Sequence, residues 1–251
     1  MTRTRLGLLG LCAMVFGLMA FSASAAQAEV GAKWLFAEKE PNSGLIPFLE
    51  AEVGLETDTT AVLHTKIAGV SVLYLCPIIE ALNVILKANG SIGEGASIDF
   101  LNCVTHLNGV LSKVCEPVGG VIKTNKGHGL IILHKLASGT VDDLLKILPD
   151  DVINGKGEKV KSETFATIEM GEECSIGTKV PVIGSATLKD CEGLFLKHLV
   201  KHLIEVGTWG VELTELWAIS KTEEHKATIL GSAWAFLIGP HVGFKFSGDP
   251  A

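Results

Sequence analysis

The sequence predicts a mainly β protein, an antiparallel β-sandwich or flattened barrel with one or two peripheral helices. Short segments rich in Val, Ile, Leu and Thr recur along most of the 251 residues. Asn108-Gly109 separates two of these segments, and this dipeptide tolerates the positive φ angles of a tight hairpin turn. Many short strands joined by turns are typical of antiparallel sandwiches and barrels.

The strands are predicted from β-branched content and from alternation of apolar and polar residues. The predicted segments are Thr59–Cys76, Asn83–Lys87, Ser97–His106, the hairpin Phe100–Val114, Val121–Ile122, Leu130–His134, Thr164–Met170, Lys179–Leu188, Val211–Ile219, Lys226–Ile238 and Val242–Phe246.

Two segments instead predict helices. Thr140 is a suitable N-cap, Leu144, Leu145 and Leu148 form one apolar face, and Pro149 ends the segment. In the second segment, apolar residues recur at helical spacing from Leu196 to Ile204, and Gly207 would stop the helix. A strand is the alternative interpretation of this segment and fits the pattern less well.

The chain is predicted to form a single domain from residue 29 to residue 251. Residues 149–163 (PDDVINGKGEKVKSE) are the one long polar stretch. This stretch is interpreted as a surface loop within the domain, and a boundary between two domains is the alternative.

The first 28 residues have the three parts of a secretory signal peptide. Arg3 and Arg5 form a basic start, residues 6–21 are apolar or small, and Ala26-Gln27-Ala28 offers a cleavage site after Ala28. The protein is therefore predicted to be secreted, extracellular or part of the cell envelope. No stable transmembrane anchor is expected after cleavage, because Pro77 and Glu80 interrupt the most apolar later stretch.

The charge of the chain argues against nucleic acid as a partner. Beyond residue 28 the chain has 19 lysines, no arginine and 28 acidic residues, a net charge of −9. Arginine is the side chain that grips phosphate in a bidentate fork, and a negative protein repels the nucleic-acid backbone. We therefore expect no nucleic-acid binding.

Five cysteines follow the signal segment, and an exported protein is expected to oxidise them. Sequence proximity predicts the pairs Cys103–Cys115 and Cys174–Cys191, which leaves Cys76 as a buried thiol. A two-residue turn at Asn108-Gly109, however, places Cys103 opposite Val114. The first pair then requires a bulge or a longer loop.

His198 and His202 are the only candidates for a metal site. On a helix, their spacing would put both imidazoles on one face. No third ligand accompanies them, and the same face carries lysines, so plain solvent exposure is the alternative interpretation. A hydrolase site built from His198, His202, Glu205 and Glu212 would have to be assembled by the fold. The sequence predicts no catalytic residue and no cofactor.

Several segments together resemble a known group of sequences: DFLNCVTHLNG with Cys115 after it, then GHGLIILH, GEECSIG, HKATILGSA and GPHVGFKFSG. They are similar to uncharacterised exported bacterial β-rich proteins of unknown function. The resemblance implies a secreted, mainly β protein with cysteines near the hairpin. It implies no activity, cofactor or site residue.

Three functions remain open at this level. The first is a non-enzymatic binding or structural protein outside the cytoplasm. The second is a binder of an apolar small molecule or lipid inside a β-barrel, suggested by the apolar strands in Val62–Leu86 and Ile229–Ile238. The third is the hydrolase described above.

Overall fold

The structure, a computed structural model, describes residues 33–37, 50–135, 141–189, 194–202, 215–220 and 223–249. The predicted signal peptide with its cleavage site after Ala28, the cysteine at 191, and Glu205 and Glu212 lie outside the described residues.

The described part is built almost entirely of β-strands, as the sequence predicts. The strands are β1 (Lys33–Ala37), β2 (Glu50–Thr57), β3 (Ala61–Ile67), β4 (Val70–Cys76), β5 (Ile78–Leu82), β6 (Val84–Lys87), β7 (Ser91–Leu101), β8 (Val104–Leu107), β9 (Val110–Leu111), β10 (Ile122–Lys123), β11 (Gly127–Lys135), β12 (Val141–Pro149), β13 (Val152–Ile153), β14 (Lys159–Val160), β15 (Thr164–Glu169), β16 (Lys179–Lys189), β17 (Lys197–His202), β18 (Glu215–Ser220), β19 (Glu223–Leu230), β20 (Ser232–Leu237) and β21 (Lys245–Asp249). Three short 3₁₀ turns are Lys113–Cys115, Val118–Gly120 and Gly239–His241.

Eight of the strands close into an antiparallel barrel. The order around the barrel is β7, β11, β12, β16, β17, β20, β2, β6 and back to β7. The ring closes between β6 and β7, where Leu86 faces Ile92. Closure leaves no free strand edge within the ring, and eight strands enclose an interior that side chains nearly fill.

Strand β16 and seven strands outside the barrel form a second antiparallel sheet. Its order is β15, β16, β18, β19, β3, β4, β8 and β9. Strands β5 and β10 flank the second half of β7. Strands β7 and β16, at 11 residues each, both extend beyond the barrel: β7 pairs there with β5 and β10, and β16 belongs to both sheets. We call the region where the two sheets meet the junction end of the barrel, and the opposite end the outer end.

A β1–β21 ribbon lies at the outer end. It is anchored by Phe195, which precedes β17 and exchanges two backbone hydrogen bonds with Phe246 on β21. The indole N–H of Trp34, on β1, donates to the carbonyl of Ser91 at the start of β7, at 3.2 Å. The ribbon therefore packs across the ends of the barrel strands.

Where the barrel meets the second sheet, the chain crosses from β2 to β3 and from β19 to β20. The carboxylate of Asp58 connects these two crossings by hydrogen bonds. Asp58, between β2 and β3, accepts a hydrogen bond from the Ser232 hydroxyl at 2.7 Å and one from the Trp234 indole at 3.1 Å. Gly231, between β19 and β20, has φ +116°, and a Cβ there would lie 2.9 Å from the carbonyl oxygen of Thr60. Only glycine fits this close crossing.

The first predicted helix is wrong, because Val141–Pro149 is strand β12. It pairs with β11 over nine residues and with β16 over three. Leu144 and Leu145 are both buried although they point to opposite faces. A strand covered on both faces has apolar residues on both, and this pattern resembles a helical face.

The described part of the second predicted helix is also a strand, again because both of its faces are covered. Lys197–His202 is strand β17, held between β16 and β20. His198 is buried on one face, while Leu199 is half-buried on the other. Two packed faces again produced a doublet pattern that favours a helix.

The predicted hairpin is confirmed. Asn108 and Gly109 have φ angles of 48° and 82°, and Leu107 faces Val110 across the turn. Positive φ at both positions is the geometry that an Asn-Gly turn favours. The polar stretch at residues 149–163 contains a second small hairpin, β13–β14, between β12 and β15.

The predicted cysteine pairs are wrong. The disulfides join Cys76 to Cys103 and Cys115 to Cys174, with Cα–Cα distances of 4.1 Å and 4.7 Å. Cys76 is buried as predicted, but it is bonded and is not a thiol.

Strand register explains the first disulfide. Leu75 faces Val104 and Ile78 faces Leu101, so Cys76 and Cys103 fall opposite each other between these pairs. Residues that face each other across two strands can be far apart in sequence, and sequence proximity therefore predicted the wrong partner for Cys103.

The second disulfide joins two segments that meet in the same way. An isolated bridge pairs Pro117 with Met170, and these residues follow Cys115 and precede Cys174 closely in the chain. The tight hairpin turn, which places Cys103 opposite Val114, excludes the Cys103–Cys115 pair.

Disulfide mapping tests this connectivity directly. Each of the four cysteines lies in its own peptide after cleavage at lysine. We expect mass spectrometry without reduction to find 67–87 linked to 88–113, and 114–123 linked to 162–179. A link between 88–113 and 114–123 would contradict the structure.

Removing each bridge with a double Cys→Ala change should destabilise the fold by a different amount. The Cys76–Cys103 pair closes a 27-residue separation and the Cys115–Cys174 pair one of 59 residues. Loop-closure entropy predicts losses of about 3.5 and about 4 kcal/mol in the free energy of unfolding. Urea denaturation of the two variants measures both, and a larger loss for the shorter loop would contradict this account.

Tyr74 is the only tyrosine and is buried in the core of the second sheet, where its hydroxyl donates to the Met170 sulfur at 3.3 Å. Burial raises the pKa of Tyr74 far above its usual value of about 10. The folded state therefore prefers the protonated phenol. The stability that this preference contributes is complete below pH 10 and is lost as pH rises above it.

Ultraviolet titration of the whole protein should therefore show no phenolate near pH 10. We expect ionisation only when the chain unfolds, so that absorbance and circular dichroism change together. Tyr74→Phe should remove the absorbance change and make unfolding above pH 10 less steep. A phenolate signal at about pH 10 with unchanged circular dichroism would show that Tyr74 is accessible.

Candidate functional site

The barrel encloses a cavity of about 80 Å³ with an almost wholly apolar wall. It runs from the outer end to the junction end. The lining residues are Trp34, Val53, Leu55, Ala81, Val84, Leu86, Ile92, Ala96, Ser97, Ile98, Thr124, Asn125, Gly127, His128, Leu145, Ile147, Leu148, Pro149, Phe165, Leu188, His198, Val200, Ala235 and Phe246.

Small side chains account for the empty space. Ala96 and Ala235 line the cavity, at positions where larger residues would fill the interior. The core of the second sheet leaves a smaller gap of about 20 Å³. Of these two apolar interior spaces, the barrel cavity is the one with more room for a guest.

Two aromatic side chains from the ribbon close the outer end. Trp34 and Phe246 are both buried and both line the cavity, with ring centroids 6.3 Å apart. A guest that reached this end would meet these two rings, aliphatic groups from Val53, Leu86 and Ile92, and the ring of His198.

His198 holds the ribbon in place. Its side chain is 3 % exposed, and its Nε2–H donates to the carbonyl oxygen of Phe246. The two rings also pack edge to face, with centroids 4.4 Å apart. Because a carbonyl can only accept, the hydrogen bond places a proton on Nε2.

The junction end carries most of the polar groups in the wall. Ser97, Thr124, Asn125 and His128 line the cavity there, and Asn125 is exposed, so this end is the mouth. The Thr124 hydroxyl accepts from the backbone N–H of Ile98, and the Asn125 amide donates to the Thr164 carbonyl.

A histidine–aspartate pair stands at this mouth. His128 Nδ1 donates to Asp150 Oδ1 at 2.9 Å, and the other carboxylate oxygen accepts from the backbone N–H of Gly95 at 2.7 Å. Gly95 lies in the bulge of β7 against β11. The bulge falls between Ile92, which pairs with Gly129, and Ala96, which pairs with Gly127. The bulge positions the Gly95 N–H that holds the Asp150 carboxylate, and the carboxylate in turn orients the His128 imidazole.

The structure does not bring the predicted metal candidates together as ligands. On strand β17, positions 198 and 202 are about 13 Å apart along the strand, and the Nε2 of His198 is used by Phe246. Within the described residues, no three His, Cys, Asp or Glu side chains are grouped as metal ligands. The expectation that His198 is solvent-exposed is also wrong, because the helix that predicted it is a strand.

Sequence reasoning missed the roles of His128 and Asp150. The two residues are 22 positions apart, and no motif in the sequence links them. The β11–β12 hairpin brings them together, with His128 facing Leu148 near the strand ends. The pairing could have been found only by predicting Leu130–His134 and Leu144–Leu148 as partner strands.

Comparison with known proteins adds no relative. The chain matches no protein-family model, and no curated protein or solved structure matches it significantly. Among the residues that the structure describes, no helix is both long and apolar enough to cross a membrane.

Replacing His198 tests its anchoring role. His198→Leu removes one of the two donors to the buried Phe246 carbonyl, which keeps the Phe195 N–H, and also removes the ring contact with Phe246, so we expect the free energy of unfolding to fall by about 1–3 kcal/mol. Lys197→Gln, on the same strand, removes exposed contacts with Glu56 and with the Phe236 ring and should cost less than about 1 kcal/mol. Equal losses in urea denaturation would contradict the anchor.

Proposed function

We propose that this is a secreted or envelope-associated, non-enzymatic binding protein that holds a small apolar molecule inside its barrel. The observation that carries the proposal is the apolar cavity closed at the outer end by Trp34 and Phe246 and open toward His128.

The cavity has a cost that a ligand would offset. An empty apolar cavity of about 80 Å³ destabilises a protein by about 2 kcal/mol, and larger side chains at Ala96 or Ala235 would remove it. Apolar cavities also stay dry, so a guest displaces little ordered water. Binding there would be driven by apolar burial and by contacts with the wall.

The size of the cavity bounds the ligand. A water molecule needs about 10–15 Å³, whereas pockets for drug-sized molecules span roughly 300–1,000 Å³. A cavity of about 80 Å³ suits a small hydrocarbon or the apolar end of a longer molecule that remains partly outside.

Two disulfides support a location outside the cytoplasm. Such bonds persist in oxidising compartments and are rare in reducing ones. This agrees with export through a signal peptide.

A hydrolase is less well supported by the cavity mouth. Ser97 lines the same cavity as the His128–Asp150 pair, but the hydrogen bonds of these described side chains include none between Ser97 and His128. A serine nucleophile needs its base within hydrogen-bond reach. The mouth is better suited to holding a polar group than to attacking one.

Ligand uptake is tested with hexane and 1-hexanol as probes. At a few times the dissociation constant, binding contributes about 1 kcal/mol, so the wild-type Tm should rise by about 2–4 °C. Ala235→Leu fills the cavity and should abolish the rise. Phe236→Leu, on the next residue and the opposite face of β20, should retain it.

Two outcomes would overturn the proposal: no response of the wild type to either probe, or an undiminished response in Ala235→Leu. If Ala235→Leu does not fold, Ala96→Val narrows the same cavity with a smaller change and should weaken binding of both probes.

A further inference from the structure

We infer that the ligand carries a single uncharged hydroxyl group, and that it lies with this group at His128 and its hydrocarbon part toward Trp34 and Phe246. The inference rests on the proposed function and specifies the chemical class and orientation of the ligand.

The wall of the cavity is asymmetric along its length. Ser97, Asn125 and His128 are at the junction end, whereas the outer end offers the aromatic rings of Trp34 and Phe246. The one polar ring at the outer end, His198, already donates its Nε2–H to a backbone carbonyl. An amphiphilic guest therefore has one favourable direction, with its polar group at the mouth.

His128 presents a hydrogen-bond acceptor to this guest. Its Nδ1 is committed as a donor to Asp150, so in the neutral imidazole the proton is on Nδ1 and Nε2 is the acceptor. Asp150 is fixed in turn by the Gly95 N–H. The ring is thus held in one tautomer and needs a donor from the ligand, which a hydroxyl supplies and an ether does not.

Charged groups fit the mouth poorly. None of the described residues that line the cavity is a lysine or an arginine, so a carboxylate would find no cation and would approach Asp150. An ammonium group would lose its hydration on entering the apolar wall, and each Asp150 oxygen already accepts one hydrogen bond, from His128 or from Gly95. A hydroxyl needs neither counter-charge.

Ser97 supplies the second partner. Ser97 lines the cavity and is half-buried on β7, one residue after Ala96, which faces Gly127 on β11. A ligand hydroxyl at the mouth can donate to His128 and accept from Ser97. This arrangement satisfies both polar functions of an alcohol.

The experiment compares 1-hexanol, hexyl methyl ether, hexanoate and hexylamine by isothermal titration calorimetry. The informative quantity is the ratio of the ether and hexanol dissociation constants in each protein. One hydrogen bond corresponds to a factor of about two to ten, so this ratio should fall by that factor from the wild type to His128→Leu.

The matched control is His64→Leu, on β3 of the second sheet and outside the cavity, which should leave the ratio unchanged. Because His128→Leu deprives Asp150 of its donor and could fail to fold, a second readout uses the wild type. The ¹⁵N signal of His128 Nε2 should shift on adding hexanol and stay in place with the ether.

The results separate the two claims. If no probe binds, the proposed function fails. If hexane and the ether bind, but the ratio is the same in the wild type and His128→Leu, or the Nε2 signal does not respond, the barrel is a binder and the hydroxyl assignment is wrong. Tighter binding of hexanoate or hexylamine than of hexanol would also overturn it.

Discussion

Strands β7 and β16 are the elements on which the rest of the structure depends, because each pairs with strands of the barrel and with strands outside it. The first half of β7 closes the barrel against β6 and β11, and its second half pairs with β5 and β10. β16 pairs with β12 and β17 in the barrel and with β15 and β18 outside it. The two sheets therefore share a hydrogen-bonded frame, and neither can shift its register independently of the other.

That frame determines where the cavity and its polar mouth lie. The bulge where β7 meets β11 leaves the Gly95 N–H free to hold Asp150, and Asp150 orients His128. At the other end, the ribbon places Phe246 over the barrel interior through the His198 hydrogen bond. A wall of small and aliphatic residues between these two ends leaves the space unfilled. The site is thus a consequence of barrel closure and of one local irregularity in it.

The disulfides brace the second sheet rather than the cavity. Cys76–Cys103 ties two directly opposed strands, and Cys115–Cys174 ties the segment after the hairpin to the turn after β15. Both are buried in the core that contains Tyr74. Among the described residues, the covalent links thus constrain the second sheet and none crosses the barrel interior, an arrangement suited to a cavity that admits a guest.

The sequence by itself determined the β class, the Asn108-Gly109 hairpin and most strand positions, because alternation and turn chemistry are local properties. It failed at Leu144–Leu145 and at His198–Leu199, where burial on both faces makes a strand resemble a helix. Tertiary structure alone decided the cysteine partners, the pairing of His128 with Asp150, and the cavity. Each of these depends on which strands become neighbours, and that is set by long-range register and barrel closure rather than by any local pattern.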